Sequence, residues 1–130
     1  MKSNKILLSY LDGFKKISSY IYSASVKNGY WSNLSKNENE DLINMLETHS
    51  TRESIKATHP QHEGVIFSPK RPAALELLQL SGSETAVDLG CMWGALTIPL
   101  AKQVDSLLGI DQTIESLRFS EARAIEENIE

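Results

Sequence analysis

A chain of 130 residues is long enough for one domain with a buried core, and its 41% apolar and 23% charged residues are those of an ordinary globular protein, which excludes disordered and collagen-like readings. The formal net charge of −4, from 17 acidic and 13 basic side chains, argues against a dedicated nucleic-acid binder, which carries a basic surplus. A single cysteine, Cys91, allows no intrachain disulfide and fits a reducing, cytoplasmic setting. The run Ile6 to Leu8 is too short for a signal core, and no stretch reaches the ~20 apolar residues needed to span a bilayer.

Residues 1–63 read as a helical N-terminal segment, bundle-like or lid-like. Leu7, Leu11, Phe14, Ile17 and Ile21 recur at helical spacing, a stripe that packs on a neighbour or, alternatively, forms a dimer contact. Over residues 1–36, Lys2, Lys5, Lys15, Lys16, Lys27 and Lys36 face only Asp12; they read as a solvated helix face, with a phosphate or anionic-lipid surface as the alternative. A loop around Lys27 to Asn33 holds Asn28-Gly29 and the pair Tyr30-Trp31. A second helix is expected from about Ser35, since Ser35 and Glu38 have capping-box spacing, with Leu42, Met45, Leu46 and His49 on one face. A further box, Ser50 with Glu53, opens a short helix that Pro60 stops. The spacing His59-Pro60-Gln61-His62 invites a metal, yet no thiolate or third histidine stands nearby, so a solvated loop and no metal are expected.

From Gly64 the character changes. Val65-Ile66-Phe67 reads as a brief extended run, and Ser68-Pro69 as the start of a helix through Leu75 and Leu78 that Gly82 ends. A strand is expected over Thr85 to Leu89, then a glycine turn, a helix to about Gln103, and a strand from Leu107 to Ile110 closing on Asp111. Ile114, Leu117, Ala124, Ile125 and Ile129 place a last helix. Helix, strand, helix, strand, helix is the opening of a doubly wound α/β sheet, so residues 64–130 read as the start of a Rossmann-like domain with its first two strands only. A parallel sheet is normally wider and covered on both faces, and on this ground the chain reads as incomplete.

Two carboxylates stand at the carboxyl ends of these strands, Asp88 beside the glycine turn and Asp111, which is where ligands of such sheets bind. A pyrophosphate needs a small residue at the centre of the turn and no nearby negative charge; Met92 and Asp88 violate both conditions. S-adenosylmethionine has no phosphate and carries a sulfonium and an ammonium that a carboxylate favours directly or through water. A carboxylate at Asp111 can accept hydrogen bonds from the vicinal hydroxyls of a ribose.

The stretch Thr85 to Glu121 resembles the opening of a class I S-adenosylmethionine-dependent methyltransferase. Asp88-Leu89-Gly90-Cys91-Met92-Trp93-Gly94 is similar to that family's first motif, an acid followed by G-x-G-x-G, with Met92 at the usual central glycine; Leu108-Gly109-Ile110-Asp111 resembles the strand that carries its ribose-binding acid. The resemblance covers about the last third of the chain. It implies that Asp88, Gly90, Cys91, Met92 and Gly94 surround the cofactor, with Gly90 and Gly94 along its methionine moiety, that Asp111 holds the ribose, and that Gln112 lies beside the adenosine. Met92 and Trp93 either touch the ligand or pack at the turn. Tyr30 and Trp31 either belong to a lid over the cofactor and acceptor or pack elsewhere. The family's sheet has seven strands and its acceptor residues usually follow the fourth, so the chain reads as the cofactor-binding N-terminal portion of a methyltransferase, with no catalytic residue assigned. The acceptor is expected to be a small molecule or glycan precursor rather than nucleic acid. The alternatives are a non-catalytic remnant or interaction module and, third, a nicotinamide-binding fragment.

Overall fold

The computed structural model describes residues 5–10, 36–111 and 114–129, with side-chain surroundings for 40–111 and 115–129. Tyr30, Trp31, Gln112, the stripe residues Leu11 to Ile21 and the capping residue Ser35 lie outside the described residues. The elements are β1 (Lys5–Tyr10), α1 (Lys36–Met45), α2 (Thr51–Thr58), α3 (Pro60–Ile66), α4 (Lys70–Ala73), a 3-10 turn over Ala74–Leu78, β2 (Thr85–Leu89), α5 (Thr97–Ala101), β3 (Ser106–Asp111) and α6 (Ile114–Glu126).

The protein is mixed α/β, with a parallel sheet in the order β1-β3-β2. Two strands were expected, and the third is a correction. Lys5–Tyr10 pairs with β3, Lys5 opposite Ser106 and Tyr10 opposite Asp111, whereas a helix is expected there from the spacing of Leu7 with later residues. Ile6-Leu7-Leu8 is a short apolar run of the kind in which periodicity does not separate strand from helix, and the second edge of β3 decides the matter by supplying main-chain partners. On the other side β2 pairs with β3, Thr85 opposite Ser106 and Leu89 opposite Ile110.

The two faces of the sheet differ. Leu107, Gly109 and Asp111 of β3 are buried and Ala86 packs beside Leu107, because α5 and α6 cover this face: Leu75, Ile98, Leu100, Ala101, Val104, Leu107, Ala124 and Ile129 form one core. The opposite face of β2 is open, with Val87 and Leu89 exposed by 56% and 74%. A parallel strand pair needs a crossover, and residues 90–105, with α5 inside them, provide it.

A second core lies between α6 and the helices that follow β1 in the chain. Leu42 of α1, Ile55 of α2, Ile66 of α3, Trp93 of the turn and Phe119 of α6 form it. The Ser50–Glu53 box is made: Ser50 Oγ accepts from the Glu53 N–H, and the Glu53 carboxylate accepts from the Ser50 N–H at 3.0 Å. Glu126 of α6 then fastens that helix start, its two oxygens accepting from the Thr51 N–H and hydroxyl at 2.6 Å each. Residue 63, the expected boundary between the helical segment and the sheet, falls inside α3.

Several local expectations are corrected. His59 is fully buried and Pro60 opens α3, so His59 to His62 is not a solvated loop; Pro at the first helical position lacks only an N–H that has no partner there in any helix. Val65 and Ile66 continue that helix rather than extending, and burial of Ile66 against Trp93 and Phe119 outweighs the weak strand preference of β-branched residues. The helix expected from Ser68 to Gly82 is α4 followed by the 3-10 turn, ending at Gln79 with φ +49°. The helix after the glycine turn stops at Ala101, short of Gln103.

Candidate functional site

β2 delivers Asp88 to the carboxyl end of the sheet, and β3 delivers Asp111 beside it. Between them the chain turns at residues 90–96. The turn is anchored to β3: the Gly90 and Cys91 N–H groups both donate to the Ile110 carbonyl, at 2.8 and 3.1 Å. Asp111, only 7% exposed, accepts the Met92 N–H at 2.8 Å. Gly94 N–H donates to the Cys91 carbonyl at 3.0 Å. Asp88 is half-buried and accepts the hydroxyl of Thr97, a fully buried residue of α5, at 2.7 Å.

Backbone shape explains why glycine stands twice in this turn. Gly90 and Gly94 both have φ of +74°, which an L side chain rarely adopts. Their surroundings differ. A Cβ on Gly90 would meet nothing within 4 Å, whereas one on Gly94 would lie 2.9 Å from Ile98 Cγ1 and 3.2 Å from Ser120 Oγ. Gly90 therefore leaves open space at the strand end, and Gly94 permits close packing of the turn on α5 and α6. Met92 holds φ +45° without being glycine, with its side chain exposed. Trp93 points the other way, into the second core, its ring 5.7 Å from His59, 5.1 Å from His62 and 6.4 Å from Phe119 between centroids.

Burial, reinforced by the carboxylates of Asp111 and Asp88, pushes the Cys91 thiol up to about 12. It stays protonated at neutral pH and is a packing residue, not a nucleophile. Among the described residues no three histidine, cysteine or acidic side chains gather as metal ligands, and no helix is long and apolar enough to cross a membrane.

The structure thus brings together Asp88, Gly90, Cys91, Met92, Gly94 and Asp111, all singled out from the sequence. It adds three residues that were not: Thr97, Ser120 and Arg123. Ser120 Oγ donates to the Met92 carbonyl at 2.7 Å, and the Arg123 guanidinium donates to the Gly94 carbonyl at 2.9 Å and the Trp93 carbonyl at 3.4 Å. Arg123 is buried with its charge over the Phe67 ring at 4.6 Å and beside Glu127 at 3.4 Å. A signal for Ser120 and Arg123 does exist in the sequence. Ser116, Ser120 and Arg123 interrupt the apolar positions Leu117, Phe119 and Ala124 of one helix, and polar groups on a buried face need partners.

No protein-family model, no curated protein and no solved structure matches this chain.

Proposed function

We propose that the chain binds S-adenosylmethionine at the turn between β2 and α5, as the cofactor-binding portion of a methyltransferase with a Rossmann-like, doubly wound sheet. The observation that carries this reading is the use of the turn's own N–H groups. Those of Gly90, Cys91, Met92 and Gly94 are all engaged within the protein, one of them by a carboxylate, so they are not arrayed for a pyrophosphate. The following helix is only five residues long, a poor anion site in its own right. Asp88 and Asp111 add negative charge on the same side. A ligand that carries positive charge and hydroxyls, but no phosphate, suits this arrangement better than a dinucleotide.

The open space at Gly90 lets a ligand approach the backbone, and Asp111 offers a carboxylate to ribose hydroxyls while it also holds Met92. Gly94, being packed, serves the shape of the turn. The sulfonium supplies an already activated methyl group, so the protein's work is to align an acceptor with it. Gln112, Tyr30 and Trp31 keep the roles that the resemblance implies: adenosine contact for the first, lid or acceptor contact for the pair. A small-molecule or glycan-precursor acceptor, a cytoplasmic setting and a division into a helical segment over 1–63 and a cofactor-binding unit over 64–130 belong to this same proposal.

Calorimetric titration of the chain with S-adenosylhomocysteine beside NAD tests it. Binding of the former alone supports the reading, and binding of NAD alone overturns it. Asp111→Ala should weaken S-adenosylhomocysteine by about 1 kcal/mol or more, as expected for lost hydrogen bonds to a ligand. A second reading, a non-catalytic interaction module, draws on the exposed Val87 and Leu89 at the open face of β2. Absence of binding to either ligand, together with concentration-dependent association, favours it.

A further inference from the structure

Three consecutive carbonyls of the glycine turn, those of Met92, Trp93 and Gly94, are held by two side chains of α6. Ser120 takes the first at 2.7 Å, and Arg123 takes the other two at 3.4 and 2.9 Å. Ser120 and Arg123 are three residues apart, one helical turn, so they stand on the same face of α6. Both are buried, Ser120 completely and Arg123 to within 4%. Met92 is thereby gripped at both ends. Its N–H goes to Asp111 on β3 and its carbonyl to Ser120 on α6, and between those two bonds the residue holds φ +45°.

A non-glycine residue in the left-handed region costs about 1–2 kcal/mol and persists only where its surroundings over-determine it. Here the surroundings are two hydrogen bonds from two different elements. The same Asp111 that grips the Met92 N–H is the carboxylate assigned to the ribose. Its orientation and the shape of the turn are therefore one mechanical unit, closed on its far side by α6.

We infer that Ser120 and Arg123 are positioning residues for the ligand site: by holding the carbonyls of Met92, Trp93 and Gly94 they keep the turn, and through Met92 the Asp111 carboxylate, in the geometry that receives the ligand. The inference rests on the S-adenosylmethionine reading and adds to it residues that touch no ligand. Arg123 suits the task because one terminal nitrogen, Nη1, serves both carbonyls while the other, Nη2, is held beside Glu127 at 3.4 Å, an anchoring that a lysine ammonium does not reproduce in the same geometry.

The test compares Ser120→Ala with Ser54→Ala, a fully buried serine on α2 whose hydroxyl donates to the Ser50 carbonyl at 2.8 Å rather than to the turn. Both variants and the wild-type chain are titrated with S-adenosylhomocysteine at a temperature where circular dichroism reports all three folded, and amide exchange is followed at Met92. A loss of about tenfold in affinity for Ser120→Ala with none for Ser54→Ala, and Met92 exchange quickened about tenfold, is the expected result. Arg123→Lys should lose affinity less than Arg123→Met, since it retains a donor for one carbonyl. Equal affinity of Ser120→Ala and wild type, or unchanged Met92 exchange, overturns the inference and leaves the cofactor reading standing. Failure of the wild-type chain to bind overturns the cofactor reading itself, and the positioning role with it.

Discussion

Gly90 and Gly94 have the same φ, yet one faces open space and the other is pressed between Ile98 and Ser120. The first half of the turn, Asp88 to Cys91, is tied to β3 through the Ile110 carbonyl and to α5 through the Thr97 hydroxyl, and at Gly90 it borders open space. The second half, Met92 to Gly94, is tied to α6 through Ser120 and Arg123 and carries Trp93 into the second core. The difference teaches that a motif with repeated glycines need not repeat their purpose. One glycine stands at open space, and the other lets the fold close on itself.

Substitution at the two glycines should break the comparison most sharply. Gly94→Ala combines a left-handed backbone with a Cβ that neither Ile98 nor Ser120 can admit without moving, and about 3 kcal/mol of stability should be lost, measured by urea unfolding. Gly90→Ala has only the backbone penalty, about 1 kcal/mol, because its Cβ meets nothing. Its larger consequence should be on S-adenosylhomocysteine affinity, read by calorimetry. Equal destabilisation by the two substitutions would show that the halves are not distinct.

Met92→Gly sharpens the contrast further. It relieves the left-handed strain but gives the unfolded chain more freedom, and the two effects should leave stability within about 1 kcal/mol of wild type. Denaturant midpoints check it. The smallest effect concerns Cys91. Its folded value of about 12 lies above the ordinary thiol value, so the stability it contributes is complete below ~8.5 and falls as pH rises toward the folded value. The melting temperature should therefore carry no Cys91 contribution to its pH dependence between pH 6 and 8, and iodoacetamide should label Cys91 only after unfolding.

Legibility in the sequence followed the range of the interactions involved. The Ser50–Glu53 box and the strand over Thr85 to Leu89 were readable because their causes lie within a few residues: a cap and its partner, an apolar run bounded by a glycine turn. The acids Asp88 and Asp111 were readable because strand ends follow from the strands. The N-terminal strand was not. Leu7 suits a helical stripe as well as a strand, and only the vacant edge of β3 separates the two. His59 and His62 were misread for a related reason. Pro60 marks a break in any local reading, while Trp93 and the second core, supplied from elsewhere in the chain, hold the buried His59 and the half-buried His62 on either side of a helix start.

By itself the sequence determined the mixed α/β character, the glycine turn and the pair of carboxylates at adjacent strand ends, since each depends on residue type and short spacing. Only the tertiary structure decided which glycine faces open space, that β1 completes the sheet order, and that Ser120 and Arg123 hold the turn. Those outcomes depend on contacts between residues far apart in the chain, for which residue type sets what is possible and packing selects what occurs.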